Sequence, residues 1–345
     1  MNNYMVYVFE NLIKTTIVCS LAICLLLFLK RYLFKKFSKR FNYYIWLIIV
    51  FRMLLFLFNY TIVYEVKELK ENTLGNNIAQ IDISTDNNLM LYVVYLWLFV
   101  TIVIAVYTFI KYTRFKNLVV DVSYDIEDDL NCIYKNLLKE LNIKKKIELR
   151  GSDELISPAG MGLFKSYIFL PDYPYSKDEL TWILKHELMH FKNKDILIKF
   201  LMLSVKIIYW FNPLVYIMSN KVNLDCELCC DESVLTECSL KDKKEYALAL
   251  IKLIKLSKNY NGGILTTEFN KTSLEKRLDS IVKKKGKSGI LVLLILFTLF
   301  SVTYFNFESI SFDNPNFLRN IGILEKSGAN LREEYDYNMK IVYPN

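Results

Sequence analysis

The stretch Thr181-Trp182-Ile183-Leu184-Lys185-His186-Glu187-Leu188-Met189-His190 carries the pattern His-Glu-x-x-His. On a helix, residues four apart share a face, so His186 and His190 present two imidazoles to a single ion. Glu187 sits about 100° round the same turn, close enough to reach a water at that ion without ligating it. The chemistry indicated is metal-assisted hydrolysis, with Glu187 moving the proton. The chain has 2 histidines in 345 residues, and both lie in this pattern.

A catalytic zinc takes three protein ligands and keeps one open position. With no further histidine, the third ligand must be a carboxylate or a thiolate. The run Asn-Leu-Asp-Cys-Glu-Leu-Cys-Cys-Asp-Glu at 223–232 offers Asp225, Cys226, Glu227, Cys229, Cys230 and Asp231. Spacing alone does not choose among them. Cys226 and Cys229 also form a Cys-x-x-Cys pair, a metal or redox pattern that is weak without a second pair.

These residues must be held by the rest of the chain, whose composition is that of a membrane protein. It is 53% hydrophobic, yet carries 44 Lys+Arg against 36 Asp+Glu, and the charges are segregated from long apolar runs. The net charge of +8 comes from basic clusters beside those runs, which suits cytoplasm and anionic lipid rather than direct binding of nucleic acid. Of 7 cysteines, Cys19 and Cys24 lie inside an apolar run; no disulfide framework is indicated, and a reducing cytosolic side suits the others.

Three membrane spans are expected in residues 1–116, at 5–29, 43–64 and 89–110. The first lacks a basic leader and a small-residue cleavage site, so it reads as a retained span. Lys30, Arg31, Lys35, Lys36, Lys39 and Arg40 keep its end inside, the acidic loop 65–88 is outside, and Lys111, Arg114 and Lys116 return the chain to the cytoplasm. The N-terminus is then outside. Arg52, within the second span, reads as a bundle partner, with Glu10 as the facing group.

Residues 117–288 read as a cytoplasmic domain. Apolar spacing predicts a helix over 126–141, a strand over 146–150, and two short strands within 156–171. Tyr167, Ile168, Phe169 and Leu170 are expected to form a sheet edge that a substrate peptide could join by strand addition. Ser176 and Glu179 form a capping box for the motif helix, expected at 177–194. The apolar segment 196–218 is broken at Asn212-Pro213. Two crossings need about 40 residues, so it is expected to dip into the inner leaflet and keep the site at the membrane surface. Helices are expected at 219–236, 241–258 and 273–283. Lys283, Lys284, Lys285 and Lys287 precede a last span at 289–305, which leaves 306–345 as a short outer tail.

These motifs together resemble the BlaR/MecR-type antirepressor metallopeptidases of the gluzincin clan. The resemblance rests on the three spans, Ser-Pro-Ala-Gly…Gly-Leu-Phe…Ile-Phe-Leu-Pro, His-Glu-Leu-Met-His, Trp210-Phe211-Asn212-Pro213 and Asp225-x-Glu227-x-x-Cys230-Asp231, across most of residues 1–305. It implies Glu227 as the third Zn2+ ligand, Asp231 and Asp195 as supports behind the ligands, and Cys230 at a small buried position. The fold it implies is a mainly α membrane protein, a transmembrane helix bundle with an inserted cytoplasmic α+β gluzincin-type zinc peptidase domain. The implied partners are the lipid bilayer and a protein substrate, a cytoplasmic repressor, with self-cleavage within 274–287 and a homodimer as further candidates.

The better-known members of the family carry a penicillin-binding sensor domain outside the last span. Here the tail is short and has no Ser-x-x-Lys pattern, so the signal is expected from that tail, the 65–88 loop or a partner. Two rival readings are a constitutive processing protease and a signalling scaffold with a structural zinc. The intact Glu187 speaks against the scaffold, because a closed structural site has no use for a general base.

Overall fold

The computed structural model describes residues 2–56, 60–64, 87–260, 267–283, 286–290, 292–294, 296, 298, 305–306 and 339–341. Most of the expected outer loop 65–88 and outer tail 306–345, and part of the last expected span, lie outside the described residues.

Helices α1 (Asn2–Tyr32) and α3 (Asn87–Asp121) have 31 and 35 residues. At 1.5 Å per residue each exceeds the roughly 30 Å hydrocarbon core. Within them Met5–Tyr32 and Leu89–Asp121 are apolar and long enough to cross a membrane by length and composition. Their outward faces expose Leu21, Phe28, Tyr92 and Phe99, a continuous apolar surface of the kind that lipid or another protein covers.

Between them, α2 (Lys39–Leu54) starts on Ser38, whose hydroxyl accepts from the Phe41 amide. It stops at Leu54, short of the expected 64, and Tyr60–Tyr64 is instead strand β1. The run Tyr-Thr-Ile-Val-Tyr is aromatic and β-branched, which favours a strand; hydropathy alone does not separate that from a continuing helix. β1 pairs parallel with a strand at Phe305–Asn306 and antiparallel with one at Met339–Ile341. Arg52 on α2 is buried and donates to Thr15 of α1 at 3.3 Å, on the same helix as the expected partner Glu10.

The second body opens with β2 (Tyr124–Asp125), α4 (Asp128–Glu140), β3 (Ile147–Gly151), β4 (Ala159–Met161) and β5 (Ser166–Leu170). Their sheet has the order β2-β3-β5-β4, with β5 parallel to β3 and antiparallel to β4. This corrects the expectation for Tyr167–Leu170. Tyr167–Phe169 are interior, paired on both sides, Leu170 pairs with β3, and the edge is β4. All five residues of β5 are buried, as a doubly covered strand requires. Ala-Gly-Met has little strand propensity and reads as a turn until its partner is known.

Five helices follow: α5 (Lys177–Lys192), α6 (Asp195–Ile208), α7 (Pro213–Val234), α8 (Leu240–Tyr260) and α9 (Thr267–Val282). The capping box on α5 is formed, with Glu179 N donating to Ser176 Oγ at 3.2 Å and Ser176 N donating to the Glu179 carboxylate at 2.9 Å. Its 16 residues carry both histidines. α6 has 14 residues, about 21 Å and too short to span alone. The α6–α7 turn is pinned deep among the apolar helices: Asn212 Nδ2 donates to Ser20 Oγ at 2.9 Å, Tyr209 O–H to the Met53 carbonyl at 2.8 Å, and Trp97 Nε1 to the Ile208 carbonyl at 3.1 Å.

Among the described residues two large hydrophobic cores result, with a small third where Val119 of α3 packs on Tyr167 and Phe169 of β5. One gathers α1, α2, α6 and most of α7, from Val215 to Cys229. The other gathers α4, the sheet, α5, α8, α9 and the end of α7, from Cys230 to Val234. α7 threads both, and Glu227 lies where they meet.

Candidate metal centre

α5 places the two imidazoles one turn apart, with ring centroids 4.8 Å apart and each residue 7% exposed. α7 crosses α5 and delivers Glu227 between them. Glu227 Oε2 is 3.3 Å from His186 Nε2 and Oε1 is 3.6 Å from His190 Nε2. Ligand atoms about 2.0–2.1 Å from a tetrahedral zinc stand about 3.3–3.4 Å apart. The three residues therefore fit the ion, with both Nε2 atoms and the carboxylate facing one point. Glu187 lies on the same wall of a cavity of about 320 Å³, half-buried, with Pro158, Gly160, Lys199 and Leu253 around it.

The opposite nitrogens are committed elsewhere. His190 Nδ1 lies 2.7 Å from Asp195 Oδ2, and Asp195 is 1% exposed. Lys194 makes this contact reachable: its φ of +61° reverses the chain between α5 and α6, so the first residue of α6 turns back on the last histidine. His186 Nδ1 lies 2.8 Å from the Tyr246 hydroxyl, which donates to Asp231 Oδ1 at 2.6 Å. Because Tyr246 gives its proton to the carboxylate, a neutral His186 ring donates from Nδ1 and carries its lone pair on Nε2, which stands 3.5 Å from Arg277 Nη2.

Asp231 is in turn clamped by Arg277 of α9, with Nε to Oδ2 at 2.8 Å and Nη2 to Oδ1 at 2.7 Å. Arg277 Nη1 also stands 3.1 Å from Glu227 Oε2. Burial disfavours charge on Glu227, but Arg277 and the two histidines outweigh it and hold its carboxyl well below the usual range. Burial likewise opposes a proton on His186, yet Cys230 and Glu227 outweigh that and push its pKa up to about 10 when no ion is present.

The structure thus brings His186, Glu187, His190, Glu227, Asp231 and Asp195 to one place, and excludes Tyr167–Leu170 from the substrate edge. Gly160 of the edge strand β4 lines the cavity instead. Two further groups of donors lie behind the rings, His186–His190–Cys230 and His190–Asp195–Cys226. Cys230 Sγ is 3.5 Å from His186 Nδ1 and Cys226 Sγ is 3.9 Å from His190 Nδ1. Those nitrogens already serve Tyr246 and Asp195, so the open Nε2 side is the better seat for an ion. Cys226 and Cys230 each join one of these donor groups, whereas Cys229, the other half of the expected Cys226–Cys229 pair, is buried and joins neither. Tyr246 and Arg277 were missed by sequence reasoning. They lie 60 and 91 residues beyond His186, and no local pattern marks them.

The sequence profile of the BlaR1 peptidase M56 family matches residues 10–281. Curated relatives include a regulatory protein BlaR1 of Bacillus licheniformis, 29% identical over 179 residues, or 49% of this chain and 30% of that protein. A methicillin resistance mecR1 protein of Staphylococcus aureus is 34% identical over 112 residues, or 32% of this chain and 19% of that protein. The regulatory protein BlaR1 of Staphylococcus aureus is 29% identical over 198 residues, or 55% of this chain and 33% of that protein. The matched stretches thus cover a third or less of each relative's length.

Proposed function

The chain belongs to the BlaR1-type M56 peptidase family, and from that premise we propose that it is an integral membrane zinc endopeptidase of gluzincin type, acting at the cytoplasmic face. The observation that carries this reading is the convergence of His186 Nε2, His190 Nε2 and the Glu227 carboxylate beside Glu187 in one cavity.

In this reading His186, His190 and Glu227 hold Zn2+. Bound there, zinc supplies Lewis acidity, lowering the pKa of a water and polarising the scissile carbonyl. Glu187 accepts the water's proton and returns it to the leaving amine. Asp195 fixes the ring of His190, and Tyr246 with Asp231 fixes that of His186, so that both Nε2 lone pairs stay aimed into the cavity. β4, the free edge of the sheet, pairs with the substrate in an extended form and lays its backbone across the cavity.

The membrane placement is supported by the two long apolar helices and by the buried seat of the α6–α7 turn. The small sheet joining Tyr60–Tyr64 to residues 305–306 and 339–341 supports placing the end of α2 and the tail on one side, away from the zinc site. The relatives are named as regulatory and resistance proteins. We accordingly assign the chain to signal transduction, with a cytoplasmic transcriptional repressor, and the chain itself, as substrates.

The test pairs zinc content with proteolysis of a co-expressed repressor in wild type and Glu187→Ala. The expected result is about one zinc per chain in both, and a loss of cleavage in the variant of 10²-fold or more. Equal cleavage by both proteins would remove Glu187 from its role and the peptidase reading with it.

A further inference from the structure

A second groove, of about 580 Å³, opens beside the catalytic cavity and shares Lys199 and Glu227 with it. Its wall along α7 is formed by Ile217, Asn220, Leu224 and Glu227, which recur on one face of the helix. The groove therefore follows α7 away from the site over ten residues, about 15 Å. An extended peptide advances about 3.3 Å per residue, so the groove accommodates four to five residues of substrate running out of the cavity.

Three lysines from three elements line it: Lys199 of α6, Lys221 of α7 and Lys276 of α9. Among the described residues none of them makes an ion pair within 4 Å, whereas Lys185 and Lys252 pair with Glu140 and Glu179. The acid in the groove wall is Glu227, whose oxygens already face Arg277, His186 and His190. Burial opposes the charge on Lys199, but Glu227, Cys226, Glu187 and Asp195 outweigh it and favour its ammonium; Lys221 and Lys276 are exposed, so the outer part of the groove is where an entering anion is attracted. Asn220 and Asn223 add amides that can both donate to and accept from a peptide backbone.

We propose that this groove is the specificity subsite of the proposed peptidase, and that it selects substrate segments carrying an aspartate or glutamate within about four residues of the scissile bond. The inference rests on the peptidase reading for its cleavage readout only. An anionic lipid headgroup shares the negative charge, but continuity with the cavity of Glu187 and the amide-lined wall favour a polypeptide.

The test uses the full chain in neutral-lipid nanodiscs and labelled decapeptides that differ only in one Glu, Gln or Lys beside the scissile position. Binding is read by anisotropy on Glu187→Gln, and cleavage on zinc-loaded wild type. The expected result is about fivefold or more tighter binding, and lower KM, for the Glu peptide than for the Lys peptide. In Lys221→Glu/Lys276→Glu the order reverses; a variant that simply misfolds loses both peptides alike. Charge-dependent binding with no cleavage by wild type would keep the subsite and overturn the peptidase reading. Cleavage or binding without a charge preference would overturn the subsite. So would a preference abolished by phosphatidylserine at constant ionic strength, which would assign the groove to headgroups.

Discussion

Replacing Tyr246 by Phe removes one oxygen and tests the whole logic of the centre. That oxygen stands 2.8 Å from His186 Nδ1 and 2.6 Å from Asp231. The ring, packed edge-on against Trp182 at 5.8 Å between centroids, stays in place. Without the hydroxyl, buried His186 loses its nearest Nδ1 partner and keeps only the longer approaches of Asp231 Oδ1 at 3.4 Å and Cys230 Sγ at 3.5 Å, so its tautomer is held less firmly. Loss of such a support weakens metal binding about 10–100-fold, or about 1.4–2.8 kcal/mol. Asp231 keeps both bonds from Arg277, so folding stability should fall by only about 1–3 kcal/mol. The assay is zinc affinity by competition with a chelator, followed by cleavage at saturating zinc, where activity should largely return because all three ligands remain. Tyr134→Phe is the control: Tyr134 is also buried and donates to the Ile147 carbonyl at 2.8 Å, away from the zinc site. It should lower stability and leave zinc affinity alone. A Tyr246→Phe protein that binds zinc within twofold of wild type would refute the relay.

Three further outcomes follow from the same geometry. Arg277→Met strips buried Asp231 of its clamp, and breaking a buried pair costs about 3–5 kcal/mol; adding Asp231→Asn should recover part of this in a double-mutant thermal-unfolding cycle, and a single-variant loss under about 1 kcal/mol would remove Arg277 from the centre. In the metal-free chain burial works against a charged His186, but Cys230 and Glu227 raise its pKa from 6.5 to about 10. Its stabilising contribution is full below pH 6.5 and fades as pH climbs towards 10, while zinc requires the neutral ring; the zinc-induced rise in unfolding temperature should therefore grow from pH 6.5 to pH 9, and a flat profile would contradict the assignment. Asp225→Ala releases Lys30 and the Trp46 N–H that bind its carboxylate; amide exchange should quicken in α7 around residue 225 and not in α5, and unchanged exchange in α7 would show that the strut carries no load.

What the sequence disclosed depended on distance along the chain. His186, Glu187 and His190 were legible because one helical turn holds them, and Ser176 with Glu179 announces where that helix begins. Glu227 was identified by resemblance, since six donors within 225–231 stand at comparable spacings. Asp195 reaches His190 only because Lys194 adopts φ +61°, a conformation that lysine does not advertise. Tyr246 and Arg277 could not be read at all. Their roles arise when α8 and α9 fold back on α7, and Arg277 sits in a basic stretch that reads as a cleavable segment. The β4–β5 reversal has a similar cause. Propensity marks Ser166–Leu170 as a strand, but which strand lies outermost depends on pairing with Ala159–Met161, whose residues carry almost no strand signal.

The position of Glu227 ties the candidate metal centre to helices α1 and α2. Two residues before it, Asp225 is held by Lys30 at the end of α1 and by Trp46 Nε1 of α2 at 2.7 Å. Five residues after it, the Glu232 carboxylate accepts from the Lys39 and Arg40 amides at the start of α2, each at 3.2 Å, where the helix dipole favours an anion. The ligand is thus bracketed by two struts to α1 and α2, while both histidines ride on α5 in the other core. Helix shifts in switching proteins are about 1–2 Å, whereas metal–ligand distances tolerate about 0.2 Å. Any displacement of α1 or α2 that α7 follows must therefore make or break the three-ligand geometry rather than adjust it by degrees. A displacement at the far ends of those helices would have a short mechanical path to the candidate metal centre, through Asp225 and Glu232.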